Sequence, residues 1–171
     1  AAVTGQGMEP DGRLLALNSY ENRVYRVGVE PDPRLAPEPL VAGNLVVAKF
    51  YRDGRWSDAQ IREEHAFARE LAAAELPVAA PLETGGETLH RHAQFRFALF
   101  PCWRGSAPEL DGPGHRELLG RTLGRLHAVG ATRRFAQRTS ISSWQFGAQA
   151  RRQLLASGSL PDSVVEKYAE V

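Results

Sequence analysis

The sequence predicts an α+β fold: a small antiparallel sheet carrying one helix, then a linker and a purely helical region. Three observations predict it. Short apolar runs separated by turn residues recur along the first part of the chain. A helix-period segment opens at a capping signature directly after the third of these runs. Beyond residue 105 every segment reads as helix or loop, so strands come first and helices follow. The expected division is 1–104 and 105–171.

The elements follow in order. Leu14 to Leu17 and Arg23 to Val29 read as two strands of a hairpin joined by the polar Asn18-Ser19-Tyr20-Glu21-Asn22. Pro31 to Pro39 is too proline-rich for a sheet interior and reads as a surface loop. A third strand spans Asn44 to Tyr51. Ser57-Asp58-Ala59-Gln60 has the form of a capping box and starts a helix that runs to about Ala74 and ends at Leu76-Pro77. A short strand is expected at Leu82 to Thr84. A turn at Gly85-Gly86 then leads to a strand pair ending with Phe95 to Pro101. Gly105, Pro108, Gly112, Pro113 and Gly114 form a linker. His115 to Ala131 places Leu118, Leu119, Leu123 and Leu126 on one helical face, with Gly120 and Gly124 permitting a close helix contact. A weaker helix spans Trp144 to Ala156, and another opens at Pro161-Asp162. The chain starts at Ala1 without methionine and stops inside that last helix, which predicts a piece of a longer protein.

Composition narrows the function classes. A formal net charge of +1 gives no support to a nucleic-acid partner, and Arg133-Arg134 and Arg151-Arg152 read as solvated helix faces. Cys102 is the single cysteine, which rules out an intrachain disulfide and a cysteine-based zinc site; it reads as inert. No apolar run reaches membrane-span length and no signal peptide opens the chain, so no membrane partner and a cytoplasmic location are expected.

Only two of the 21 basic residues are lysines, and one, Lys49, lies inside the apolar run Leu45-Val46-Val47-Ala48-Lys49-Phe50-Tyr51. An ammonium there is costly unless paired, and it suits gripping a phosphate as a point charge; the bland reading is a gatekeeper lysine on an edge strand. On the following helix, Ile61, Glu64, Ala68 and Leu71 share a stripe, while Glu63 points to nearly the opposite side and reads as solvated. A carboxylate on the packed face needs a cation, so a buried pair of Lys49 with Glu64 is the economical inference. A strand lysine bonded to a helix glutamate, downstream of a polar hairpin, is the ATP-gripping arrangement of protein-kinase-like folds. The region before the linker then reads as a kinase-like N-lobe, and the helices after it as the first of an α-helical C-lobe. Val47 shares the face of Lys49 and forms an apolar roof for a purine. The Asn18–Asn22 turn stands where kinases carry a glycine-rich loop, though Asn and Ser are common in any turn. Phe97 to Cys102 reads either as last strand and hinge, with backbone groups for an adenine edge, or as a plain connector.

NSYENRVY (Asn18 to Tyr25), VVAKFYR (Val46 to Arg52), RW (Arg55-Trp56) and EEHAFARELAAAELPVAAP (Glu63 to Pro81) resemble the bacterial stress response kinase A family. The likeness extends through FALFP (Phe97 to Pro101) and LGRLH (Leu123 to His127). That family sits within the aminoglycoside phosphotransferase and choline kinase-like superfamily of two-lobed, ATP-dependent kinases. Its members are described as serine/threonine protein kinases. The resemblance implies ATP with Mg2+ as cofactors and a protein substrate of unknown identity. It implies Ser19 and its loop (Tyr20, Glu21, Asn22, with Val24 beyond it) over the phosphates, Lys49 on the α/β-phosphates, and Glu64 as anchor. Phe100, Pro101 and Cys102 are implied as hinge. The family's His-Gly-Asp loop with its asparagine, and its metal-binding aspartate, have no counterpart here: no asparagine follows Asn44, and Asp162 is the only aspartate after Asp111. Catalytic base and metal ligands are therefore expected beyond Val171, with none in this chain. Two alternatives stay open: a small-molecule kinase, and a non-catalytic nucleotide-binding or interaction module.

Six further residues read as structural. His127 reads as a hydrogen-bonded core histidine, and His90 and His92 alternate on a hairpin without a third metal ligand. Trp56, Trp103 and Trp144 read as packing residues.

Overall fold

The computed structural model describes residues 1–35, 41–106, 109 and 111–170, with the backbone alone at 41–43. Five strands, β1 (Pro10–Leu17), β2 (Arg23–Val29), β3 (Val41–Tyr51), β4 (His90–His92) and β5 (Phe95–Trp103), form one sheet. Its order is β1-β2-β3-β5-β4, antiparallel throughout. The helices are α1 (Asp58–Ala73), α2 (His115–Gly130), α3 (Ala150–Ala156) and α4 (Asp162–Glu170), with a π-helical turn at Trp144–Gln149 running into α3. Among the described residues no helix is long and apolar enough to cross a membrane.

Strand alternation gives the sheet two different faces. Val27, Val29, Val46, Ala48, Phe97 and Leu99 form one core, closed by Val3, Met8 and Leu35 from the N-terminal segment and from the turn after β2. The other face carries α1, where Tyr51, Ile61, Leu89 and Ala98 pack with Trp56 and Phe100 at their margin. Lys49 belongs to this second face, opposite Val24 on β2 and Ala98 on β5.

Helix α1 starts as its sequence dictates: the Ser57 hydroxyl accepts from the Gln60 N–H, and the Gln60 side chain accepts from the Ser57 N–H. It ends when Glu75 turns left-handed (φ 57°) and the Leu76 N–H reaches back to the Leu71 carbonyl, burying Leu76. Several expectations change. The third strand begins at Val41, earlier than Asn44. Leu82 to Thr84 is not a strand: the left-handed glycines Gly85 and Gly86 close the turn so tightly that one bridge, Thr84 to Glu87, forms. Leu82 instead donates its N–H to the Leu99 carbonyl. A 3-10 turn occupies Pro33–Leu35 in the expected loop, whose remainder from 36 onward lies outside the described residues, as does Pro108 of the linker. A Cβ at Gly120 or Gly124 would meet nothing, so these glycines serve no close helix contact in the described structure.

The chain divides into two compact units, Ala1–Gln137 and Arg138–Val171. In the first, α2 and the segment after it are fastened along α1. Arg125 donates to the carbonyls of Ala74 and Glu75 at the end of α1 (3.0 and 3.2 Å), where a cation also meets the negative end of the helix dipole. Phe135 stacks edge-on against Phe67 (5.1 Å) and Arg133 pairs with Glu70 (2.7 Å). In the second unit Arg152 lies over the Trp144 ring, and Arg151 donates to the carbonyls of Tyr168 and Ala169 on α4. Arg133, Arg134 and Arg152 are exposed, as expected of solvated faces, while Arg133, Arg151 and Arg152 also make these particular contacts. His127 is exposed on α2, so the expectation of a core histidine fails there.

Candidate functional site

Lys49 and Glu64 meet: the Lys49 Nζ lies 3.4 Å from Glu64 Oε1. The strand sends Lys49 to the α1 side, and the capping box fixes the helical phase that brings Glu64 round to it. The pair is not buried as expected, with side-chain exposures of 25% for Lys49 and 39% for Glu64. The reason is rotational. The fully covered positions of α1 are Ile61, His65 and Leu71, which places Glu64 at the edge of the packed stripe. That edge position leaves the ammonium reachable from solvent while its carboxylate partner orients it.

Val24 and Val47 flank this ammonium on the same face: Val24 is the cross-strand partner of Lys49, and Val47 lies opposite Phe100. The expected hinge residues continue β5, which runs to Trp103, so no break in the strand occurs at Phe100–Cys102. Phe100 and Pro101 pair with Val47 and Val46, and Cys102 is buried. On the outer edge β4 covers only Phe95 to Phe97, and the Leu99 carbonyl turns outward to Leu82.

The hairpin loop is held by its own side chains. Ser19 Oγ accepts from the Asn22 N–H (3.2 Å), and Asn22 Oδ1 accepts from the Arg52 N–H (3.2 Å). Glu21 accepts from Arg55 Nε and from Trp56 Nε1, both at 3.0 Å; the Arg55 bond above all keeps its carboxyl below the usual range. Tyr20 projects fully into solvent at the tip. With Arg23, Arg52 and Phe95, these four residues line an open depression of about 400 Å³. Lys49 is not part of its lining, but Tyr51 is, and the Lys49 Nζ lies 4.8 Å from the centroid of that ring, so the lysine pair adjoins the depression through Tyr51.

Two buried polar residues of this face were missed in the sequence. His65 is 2% exposed between Tyr51 and Thr88: its Nε2 lies 2.7 Å from the Tyr51 hydroxyl and its Nδ1 2.9 Å from Thr88 Oγ1. Burial pushes its pKa down to about 4; Glu64 opposes the shift and Lys49 adds to it. Arg96, 8% exposed, bolts the β3–α1 connection with bonds to the Trp56 carbonyl (2.7 Å), to Asp58 (3.0 Å) and to the Arg52 carbonyl (3.3 Å). For His65 a signal existed: it lies 100° from Glu64 on the helix and 40° from Ile61. Arg96 had none, because an arginine in a strand reads as solvent-facing. Glu63, expected to be solvated, accepts the N–H groups of Ala136 and Gln137 (2.5 and 2.9 Å) and so holds the segment after α2.

An antiparallel sheet with one helix laid across it, a strand lysine answered by a helix glutamate, and helices following: these features define a kinase-like phosphotransferase fold. The chain belongs to the phosphotransferase enzyme family APH, whose model matches residues 13–170. It is 41% identical over 160 residues to stress response kinase A of Salmonella choleraesuis (strain SC-B67), covering 94% of this chain and 45% of that protein. The same figures hold for a relative in Salmonella typhimurium (strain LT2) named serine/threonine protein kinase RdoA. Stress response kinase A of Escherichia coli (strain K12) is 40% identical over 151 residues, covering 88% of this chain and 43% of the relative. The chain therefore spans less than half the length of these curated relatives. Among solved structures, amicoumacin kinase hAmiN in complex with AMP-PNP, Ca2+ and Ami superposes with a TM-score of 0.62 at 19% identity, over 90% of this chain and 50% of that one. At that identity the likeness shows the fold.

Proposed function

We propose that this chain is the nucleotide-gripping portion of an ATP-dependent serine/threonine protein kinase of the bacterial stress-response type, acting in the cytoplasm. The observation that carries the proposal is the Lys49–Glu64 contact at 3.4 Å on the sheet face that also holds Val24 and Val47. In this reading residues 1–104 form the N-lobe and 105–171 begin the helical lobe. The Lys49 ammonium takes the α/β-phosphates as a point charge, and Glu64 keeps it from swinging away. Val24 and Val47 cover the purine.

The strand edge at Phe100–Cys102 supplies the adenine contacts. Leu99 turns its carbonyl outward, so by alternation Pro101 does too, offering an acceptor and no N–H. Ser19 and Asn22 reach toward the phosphates from the loop, with Glu21 fixing its shape through Arg55 and Trp56 and Tyr20 exposed at its tip. Mg2+ would neutralise charge on the transferred group. Among the described residues no group of three or more His, Cys, Asp or Glu gathers to hold a metal, so no step is assigned to it here. Relatives named as kinases, one as a serine/threonine protein kinase, support the protein substrate.

Isothermal titration of ATP into the chain and into Lys49→Ala tests the grip. We expect saturable binding that weakens at least about tenfold in the variant, as loss of a charge-assisted contact implies. Equal binding by both proteins, or none by the wild type, refutes it.

A further inference from the structure

Lys49 has a second neighbour besides Glu64. Its Nζ lies 4.8 Å from the centroid of the Tyr51 ring, two residues further along β3 on the same face. Tyr51 is 5% exposed, and its hydroxyl is fixed by His65, which is fixed in turn by Thr88. A row of hydrogen bonds therefore runs from the segment before β4, through α1, into β3, and ends in the ring on which the ammonium rests. Glu64 and His65 are adjacent on α1, so a single helix holds that ammonium from two directions, by a carboxylate and by way of a ring.

The chemistry of the row has a direction. A neutral imidazole has one donor and one acceptor nitrogen, so its two bonds fix one another. If Tyr51 donates to Nε2, then Nδ1–H donates to Thr88. A phenol that donates its proton has a more electron-rich ring, which strengthens its hold on a cation. Packing alone does not call for these groups. A phenylalanine at 51 and a leucine at 65 would fill the volume without desolvating a hydroxyl and an imidazole.

We propose that Tyr51 and His65 are positioning residues for nucleotide binding: their hydrogen bond locks the ring that holds the Lys49 ammonium in place before a phosphate arrives. The inference rests on the reading of Lys49 as a phosphate grip. Lys49 and Lys167 are the only lysines, so isotope labelling of lysine gives an NMR spectrum of two side chains, and Lys167→Arg assigns them. In the wild type the ring current of Tyr51 shifts the Lys49 side-chain protons upfield of those of Lys167. Tyr51→Phe keeps the ring and removes the bond to His65. We expect the upfield shift to shrink and the Kd for ATP to rise about three- to tenfold, as for one lost hydrogen bond. His65→Gln, which can still accept and donate, should restore part of both effects relative to His65→Leu. An unchanged shift and an unchanged Kd in Tyr51→Phe overturn the proposal. A wild type that shows the shift but binds no ATP overturns the nucleotide reading beneath it, with the ring–ammonium geometry intact.

Discussion

His65 occupies a site that water barely reaches, and its two nitrogens are both engaged, so its environment favours the neutral imidazole. Its folded pKa of about 4 lies below the unfolded value of 6.5. In the window between them the unfolded chain binds the extra proton, so the stability His65 contributes is complete above pH 6.5 and is lost as pH falls towards 4. The loss approaches roughly 3 kcal/mol at the lower end, at 1.36 kcal/mol per pKa unit. Glu64, Lys49, Arg62 and His90 are the charged or titratable groups that act on it, and His90, itself lowered by burial, adds in the same direction. Thermal melts from pH 7.5 to 4.5 should show Tm falling through that window, with a shallower fall in His65→Gln; parallel curves would rule His65 out as the source. Lys49 and Glu64 behave differently because both are partly exposed. Breaking their contact costs more than the ~1 kcal/mol of a surface pair and less than the ~3–5 kcal/mol of a buried one.

Helix α1 does two jobs with opposite faces. Its inner face packs Ile61, His65 and Leu71, and presents Glu64 to the sheet. Its outer face receives the segment after α2 through Glu63, Phe67 and Glu70. Gln60 adds a bond from its side-chain amide to the Gln137 carbonyl (2.9 Å). Rotation of α1 would break both sets together, which couples the Lys49–Glu64 contact to the 131–137 segment. Glu63→Ala removes the acceptor for two backbone N–H groups and should destabilise the chain by about 1–2 kcal/mol. It should also raise amide hydrogen exchange along 131–137 more than Glu64→Ala does. Equal exchange in the two variants would mean the outer clasp is not a unit. Glu63 and Glu64 are neighbours in sequence and both matter, for opposite sides of one helix.

The molecule as a whole combines a five-stranded sheet with a helix, α2, whose apolar face lies open: Leu118, Leu119 and Leu123 are 63%, 40% and 45% exposed. With no asparagine after Asn44 and one aspartate after Asp111, we expect the pure chain with Mg-ATP to transfer no phosphate to protein substrates, since charge at the transferred group goes unanswered. A radiolabel assay detecting transfer that depends on Lys49 would refute this. Much of the fold was legible because its signals are local. The Ser57–Gln60 cap, the alternation around Lys49 and the turn residues Asn18–Asn22 each act within a few positions. The Lys49–Glu64 meeting was legible too, since helical phase and strand alternation are both periodic. The solvated reading of Glu63 failed because partners 73 and 74 residues away decide it; the Leu82–Thr84 strand failed on the tight Gly85-Gly86 turn, and His127 on the exposed side of α2 that it occupies. By itself the sequence determined the α+β class, the order of elements, and which lysine and glutamate face each other. Only the tertiary structure decided that the pair stands half in water, that Tyr51 and His65 brace it, and that Arg96 and Glu63 fasten their neighbours. Those outcomes depend on which backbone groups and rings arrive from distant parts of the chain, and periodicity along one element does not carry that information.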